Sequence, residues 1–583
     1  GMVYDEKFVP VTEVNGNIKY SYSKTTYDLS GRKVAETTYA DLVEITEGDD
    51  GKISIKVKDE STEVRYIETK YEYYDNNKVK RISSYGVDTA NTPIKSTMEK
   101  VTEYRYDKDG NLVEEKAIFD SDKQNINVYL DYNMYGKPQK TAVLISNEDL
   151  EKDLYVNERE KITAYSDLFT ESTKNENYGY NPDYENYSAI VTTYTNFDKA
   201  GNPGTVISPN TQTVKYYYDS LGRVGKQTVN DKDISDINGS GFETTIEKIM
   251  TYNWEGKVTG TSVYAHNETG RKLLSSEQNQ YNSRGLLEKT IQKGITTKEF
   301  NRNTNKETVK TQDLTTAYEY DLAGRVVAEV TPENYVGYKD GQGLLATGTT
   351  NKIEYIYDKQ GRLILKAFRG KIKNYNGSTG NFNENERYIV IEAYKYDANG
   401  NVIKKVDGEA YNKAYENAVT QQKSVAIEAI INDAYGVEYT YNLANQLETV
   451  KNPEFTGANG RNYNIKYSYD GLGRIVSETT AHGLNKTLVI ENYGVPVQVS
   501  SLYYSYMKYL YDDVNRKLDV IVIDNVDNPL YTEYRLRTEY YDYAGNIKKT
   551  VDANGNETSY EYNSLGLLRS VTYPGDSSIV TVK

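Results

Sequence analysis

The sequence predicts a mainly β protein, a repeat array of antiparallel β-hairpins forming a long curved or spiral sheet, with one or two inserted helices. Three observations predict it. A five-residue pattern (an aromatic, Asp or Asn, two free residues, then Gly or Asn) recurs fifteen times between residues 27 and 566. Apolar residues make up only 37% of the 583, too few for one thick core at this length. Tyr makes up the shortfall, with sixty copies against nine Phe and one Trp. Its apolar body and hydroxyl suit a sheet wetted on both faces.

The chemistry of each repeat follows from its residues. The second position is Asp in ten copies and Asn in five, and both open a type I turn by bonding backbone two residues on. The fifth is Gly in thirteen copies and Asn (Asn445, Asn515) in two. Gly reaches positive φ without cost and Asn tolerates it best, so a left-handed residue closing the turn as a bulge is expected there. The clearest tips are Tyr27, Asp28 and Gly31; Tyr106, Asp107 and Gly110; Tyr218, Asp219 and Gly222; Tyr320, Asp321 and Gly324; and Tyr357, Asp358 and Gly361. Four more are Tyr396, Asp397 and Gly400; Tyr469, Asp470 and Gly473; Tyr541, Asp542 and Gly545; and Tyr562, Asn563 and Gly566. The remaining copies start at Tyr132, Phe197, Tyr252, Tyr281, Tyr441 and Tyr511. Nine copies carry a second Tyr two residues earlier, which puts both rings on one strand face. Six are followed by Arg (Arg32, Arg223, Arg325, Arg362, Arg474, Arg516), placed to stack on a neighbouring Tyr or pair with the next turn's Asp.

Taken in order, residues 1–26 read as strands joined by an Asn15-Gly16 turn, and strands continue through Lys52–Lys58 and Glu63–Tyr73. Tyr74-Asp75-Asn76-Asn77 reads as a copy that has lost one turn residue. Residues 141–190 interrupt the array: Ser146 and Asp149 form a candidate capping box, Leu150, Leu154, Ile162 and Tyr165 a candidate helix face, and Glu171–Tyr187 a loop. Phe300-Asn301-Arg302-Asn303-Thr304 and Tyr493-Gly494 read as decayed copies, and Gly337–Thr350 as a Gly-rich loop. Glu409–Ala434 has apolar residues at helical spacing with no Gly or Pro and predicts one helix packed on the sheet. The whole chain, 1–583, is thus one array with insertions at 141–190, 337–350 and 409–434. Some thirty strands at about 4.8 Å each exceed what an open twisted sheet holds flat, which implies a curved wall or partial shell.

The strings YDSLGRV (218–224), YDLAGRVV (320–327), YDKQGRLI (357–364) and YDGLGRIV (469–476) resemble the tyrosine–aspartate, YD or Rhs, repeat. That family includes bacterial Rhs and wall-associated proteins, shell components of insecticidal toxin complexes, and teneurins. The resemblance implies hairpins in one sheet that spirals into a hollow shell in complete members. Bacterial members end in a self-cleaving core region and a variable toxic domain. Neither is visible here, which leads to the expectation of a fragment, or of a partner completed by another chain.

Most catalytic schemes fail on inventory. His266 and His482 are the only histidines, Cys is absent, and no nucleophile elbow, Walker loop or dinucleotide fingerprint is found. The repeated Asp cannot be an acid–base pair, because Asn replaces it in five copies. Asp231–Gly239 is rich in oxygen ligands but departs from EF-hand order, so it reads as a solvated loop. A net charge of −15 without a basic stripe argues against nucleic acid. No apolar run is long enough to span a membrane as a helix, and Gly1-Met2 reads as a cloning scar. The expectation is no enzyme, no cofactor and no metal. The chain would be a secreted or cell-surface wall segment that encloses or displays a polypeptide client such as a toxin, or pairs with other repeat segments. The alternative is an adhesin that binds glycans or proteins through a Tyr-rich face.

Overall fold

The computed structural model describes residues 3–47, 53–56, 64–89, 94–96, 99–118, 124–152, 162–170, 174, 179–210, 212–231, 244–267, 270–301, 306–335, 351–376, 381–453, 455, 461–482, 489–492, 495–498, 503–523, 533–563, 566–575 and 579–581. Its strands form one long antiparallel sheet in which each hairpin pairs with its sequence neighbours. Two small ribbons stand outside it, Glu44–Glu47 with Ile53–Lys56 and Val489–Asn492 with Val495–Gln498. The sheet does not close into a barrel: among the described residues, Val3–Val14 pairs only with Asn17–Tyr27 and Ile579–Thr581 only with Leu568–Thr572. The chain resolves into two compact units, one of residues 1–193, 208–211 and 439–583, the other of 194–207 and 212–438.

Turn chemistry sets the strand ends. Asn15 (φ 52°) and Gly16 (φ 85°) make the two-residue turn with both residues left-handed, as an Asn-Gly pair favours. Thirteen repeat glycines, from Gly31 to Gly566, and Asn445 (φ 60°) also have positive φ. The register slips by one residue beside most of these turns, for example between Tyr217 and Tyr218, which is the bulge that lets the five-residue tip close on a twisted ladder; the Gly136 turn closes without a slip.

Two copies differ from the sequence reading. In the copy at Tyr511 the left-handed residue is Arg516 (φ 49°), not Asn515, and Asp512 pairs directly with Lys517. Four residues, 513–516, make that tip, and contacts described below hold it. The copy near Tyr74 has lost nothing: Tyr74 N–H bonds the Lys78 carbonyl and Asn77 N–H the Tyr74 carbonyl. Tyr73 is therefore its aromatic, Tyr74 stands in the Asp place and Asn77 (φ 66°) in the Gly place.

Insertions sit at the ends of hairpins opposite the tips. In the first unit, α1 is only Asn147–Lys152, with Ser146 Oγ accepting Asp149 N–H at 3.1 Å. Ile162 lies in a strand and Tyr165 in a 3₁₀ turn, so no single helix carries them; Leu154 lies outside the described residues. Tyr165 and Tyr184 instead cover the sheet, closing a small core with Ile126, Val128, Leu144 and Ala189. In the second unit a short α2, Pro332–Tyr335, follows its hairpin, and the predicted loop 337–350 lies outside the described residues.

The predicted helix over 409–434 is two helices, α3 (Gly408–Thr420) and α4 (Ile427–Asp433). Asp407 caps the first through Ala410 N–H. Gln422, at φ 52°, ends it: its N–H bonds the Val419 carbonyl and Lys423 N–H bonds the Ala418 carbonyl, a Schellman closure without glycine. The break folds Ile430 and Ile431 onto the same patch as Tyr411 and Ala418, over Leu365, Ala367 and Val390 of the sheet. Elsewhere burial is sparse, and the sheet is held mainly by its ladder and tips.

Of the decayed copies, Phe300-Asn301 ends a long strand, Leu287–Asn301, at the end of its hairpin away from the tip. Residues 302–305, the Tyr493-Gly494 pair and the oxygen-rich loop beyond Asp231 lie outside the described residues.

Candidate functional site: the rows of hairpin tips

Each tip is built around one side chain. Asp219 shows the plan: its N–H bonds the Arg223 carbonyl, Gly222 N–H bonds its own carbonyl, and its Oδ1 accepts Leu221 N–H at 2.9 Å and Arg223 N–H at 3.0 Å. Its second oxygen, Oδ2, takes Arg223 Nε at 2.7 Å. Asn282 reproduces the first half, accepting Arg284 and Leu286 N–H at 3.0 Å each.

The choice between Asp and Asn has a rule that the sequence carried and the motif alone missed. A carboxylate's second oxygen needs a donor, and the side chain four residues on is the one alongside it. Asp tips are followed there by Arg (32, 223, 325, 362, 474) or Asn (111, 202, 401, 546), and each donates to Oδ2 at 2.7–3.0 Å. Asn tips are followed by Lys137, Lys257, Leu286, Gln446 or Leu567. Only Asp512 breaks the pattern, in the tip with displaced geometry.

Neighbouring tips are tied into rows. In the second unit, Tyr252, Tyr281, Tyr320, Tyr357 and Tyr396 each donate the hydroxyl to a carbonyl of the preceding hairpin (Val224, Val258, Leu287, Val326, Leu363) at 2.6–2.8 Å. The turn arginines reach forward: Arg223, Arg325 and Arg362 lie 4.5–4.8 Å over the rings of Tyr252, Tyr357 and Tyr396. Arg362 also donates to the Asp397 carbonyl at 2.6 Å. The turn arginines thus pair with their own turn's Asp and stack on the next tip's Tyr. Among the described residues, Arg474 alone of these arginines also meets a carboxylate of the next turn, Asp513, at 2.6 and 3.0 Å.

The first unit adds a second kind of contact. Tips of its C-terminal hairpins rest on the opposite ends of its N-terminal hairpins. Leu443 N–H bonds the Val11 carbonyl at 3.1 Å and Gly471 N–H the Ala40 carbonyl at 2.7 Å. Arg65, paired with Asp41 at 2.7 Å, donates to the Tyr511 carbonyl, and Ser96 Oγ donates to the Val514 carbonyl at 2.5 Å. Two glycines permit the approach: a Cβ on Gly86 would sit 2.3 Å from the Asp513 carbonyl oxygen, and one on Gly471 would sit 2.4 Å from that of Tyr39. This seam holds the tip at 513–516 in its four-residue form. A cleft beside it is lined by Lys19, Asp41, Arg65, Asp470, Arg474 and Tyr506.

The histidines lie apart from the tips. His266 Nε2 is 3.0 Å from Glu247, which also binds Arg271 at 2.6 Å; His482 Nε2 is 2.7 Å from Ser505 Oγ. Both lie on paired strands. No described helix is long and apolar enough to cross a membrane.

The tips predict an acid response. The side chain and then the backbone N–H of Arg223 hold Asp219 below the usual carboxylate range; at Asp28 the Arg32 backbone N–H acts first. A carboxyl whose folded pKa is depressed contributes stability above its unfolded pKa, about 3.9, and loses it as pH falls through the folded value. Asp219→Asn should keep the turn and lose only the Arg223 pair, whereas Asp219→Ala should lose both. Thermal melts are expected to rank wild type, Asn, Ala at pH 7, and the gap between wild type and Asn should close as pH falls below the unfolded value and through the lower folded one. Equal melting of the two variants would contradict this division of the side chain's roles.

Residues 541–578 match the RHS Repeat family. No curated protein matches the chain. Among solved structures, it aligns over its full length, at 10% identity and TM-score 0.22, with a chain of the TcdB2-TccC3-TEV crystal structure, of which it spans 31%. It aligns likewise with a Photorhabdus luminescens Tc holotoxin pore structure, at 10% identity and TM-score 0.20, spanning 38% of that chain. A porin-like protein from Bacteroides uniformis aligns over 61% of this chain at 10% identity and TM-score 0.15. Scores this low carry no weight for fold or role. The turn that recurs along the chain is also the turn of the segment, residues 541–578, that matches the RHS Repeat family.

Proposed function

We propose that the chain is a structural wall segment, working outside the cell, that encloses or displays a polypeptide client. The observation that carries this reading is the tip row. Tyr hydroxyls and turn arginines, the latter held by the carboxylates of their own turns, join one hairpin to the next in a continuous sheet, and among the described residues no reaction centre is assembled at the tips. The family match supports a structural role for the repeats.

The client test is protease protection. When a polypeptide client is co-expressed with the chain, the purified particle should shield it from digestion until the wall is unfolded. A client digested at the same rate with and without the chain would overturn the reading, and glycan binding lost on replacing exposed Tyr217 and Tyr388 would favour the adhesin instead. Catalysis is tested at the described His482–Ser505 pair. No hydrolase turnover is expected, and activity that vanishes in both His482→Ala and Ser505→Ala would make the chain an enzyme.

A further inference from the structure

Each tip leaves one backbone donor unused. The turn employs the N–H of its first, third, fourth and fifth residues, as in Asp219, Leu221, Gly222 and Arg223, but not that of the second. In the first unit two tips show where this donor goes when tips meet hairpin ends: Leu443 gives it to Val11 and Gly471 gives it to Ala40. The N-terminal hairpins of the same unit carry tips of the same build whose second residues, Leu29 and Met134, have no partner for that donor among the described residues. Their side chains are 86% and 90% exposed. A single exposed apolar side chain is ordinary by itself; here each stands beside an unspent donor of the kind that Leu443 and Gly471 use to dock within the chain.

The complementary surface lies on the same unit. The C-terminal hairpins end, away from their tips, in exposed connections at Asp552–Glu557 and around Tyr573, which is 52% exposed. The first closes as an Asx turn of the tips' own build, with Asp552 Oδ1 accepting Asn554 and Asn556 N–H at 2.8 Å, and both lie at the end of the hairpin that, near Val11, Ala40 and Gly86, receives tips within the chain. We infer that the tips at Leu29 and Met134 dock on the C-terminal hairpin ends of a second copy of this chain, repeating between molecules the contact that the seam makes within one. Tip and receiving end are different surfaces, so the contact is heterologous and adds copies head to tail without a set number. This inference needs no client and stands or falls apart from the enclosing role.

The experiment uses the full chain in sedimentation velocity over a dilution series. Species larger than the 66.3 kDa monomer should grow with concentration without settling at one stoichiometry. Leu29→Asp combined with Met134→Asp alters only exposed positions, so thermal unfolding should be unchanged while association weakens roughly tenfold or more. That variant keeps its receiving end. Added in small proportion to wild type, it should therefore cap growth and shorten the assemblies, which a symmetric tip-to-tip dimer would not allow. A wild-type chain monomeric at every concentration, a variant that assembles like wild type, or a variant that fails to shorten wild-type assemblies would each overturn the inference.

Discussion

Gly86→Ala is expected to destabilise the first unit strongly. Gly86 lies in a strand with ordinary backbone angles, so in isolation alanine would fit there and slightly stiffen the unfolded chain. The added carbon would instead meet the carbonyl oxygen of Asp513 at 2.3 Å, its carbonyl carbon at 2.4 Å and its Cβ at 2.8 Å. Two of those atoms are backbone and cannot rotate away. Relief requires the 512–516 tip to lift, which strains the Ser96–Val514, Arg65–Tyr511 and Arg474–Asp513 contacts together. Overpacking of this kind costs about 1–3 kcal/mol, and the coupled contacts put the expectation at the upper end. Gly225→Ala is the control: its nearest foreign atom would be 3.7 Å away, so it should be neutral or mildly stabilising. Denaturant melts measure the difference, and exchange protection at the Leu443 and Gly471 amides should fall only in the Gly86 variant. A Gly86→Ala chain as stable as the Gly225→Ala chain would mean that the seam is not closed in solution.

Glu114→Ala carries the second large effect. The Glu114 side chain is 8% exposed, meets Arg105 Nη2 at 2.7 Å and accepts the Tyr184 hydroxyl at 2.7 Å. Arg105 in turn donates to the Gly179 carbonyl, so this carboxylate ties the inserted residues 179–184 to the sheet. Burial, then the charge of Glu114 and its hydrogen bond, push the Tyr184 hydroxyl far above its ordinary pKa. Removing the carboxylate strands a guanidinium and a hydroxyl under the insertion. Breaking one side of a fully buried pair costs about 3–5 kcal/mol; Arg105 is 30% exposed and keeps the Gly179 carbonyl, so the loss is expected at or below the lower end of that range. Tyr184→Phe removes one bond and should cost about 1 kcal/mol, and it should cost less still once Glu114 is gone. A double-mutant cycle in urea reads that coupling. Strict additivity would show that the two side chains do not act together.

How much of this was legible in the sequence depends on how far apart the cooperating residues lie. The tip was legible because everything that builds it sits within five residues: Asp for the turn, Gly for the left-handed closure, Tyr at spacing two for the strand. The Asp-to-Arg or Asn pairing at four residues was equally local, and comparing copies would have exposed it. Tyr74 escaped because its tip uses a Tyr carbonyl and N–H where the pattern asked for Asp. Gln422 escaped because a search for helix ends by Gly or Pro does not register a Gln held left-handed by two Schellman bonds and the pull of Ile430 toward the core. The seam was hardest. Its sole local trace is glycine where none is needed, Gly86 inside a strand and Gly471 as an extra glycine in a tip, the mark of a backbone passing close by. Nothing local says which backbone.

Arg65 and Tyr511 are 446 residues apart in sequence. Loop-closure cost rises only with the logarithm of length, about 0.6 kcal/mol per doubling, so such a distance is affordable once hairpins have shortened the path. It governs timing more than stability. On the ribosome, the hairpin ends near Ala40 and Gly86 must wait uncovered until hundreds of later residues have emerged and folded. Refolding should then be biphasic, with quick local hairpin formation and a slow final closure of the N- and C-terminal segments, the phase during which the chain is most open to mispairing with its neighbours.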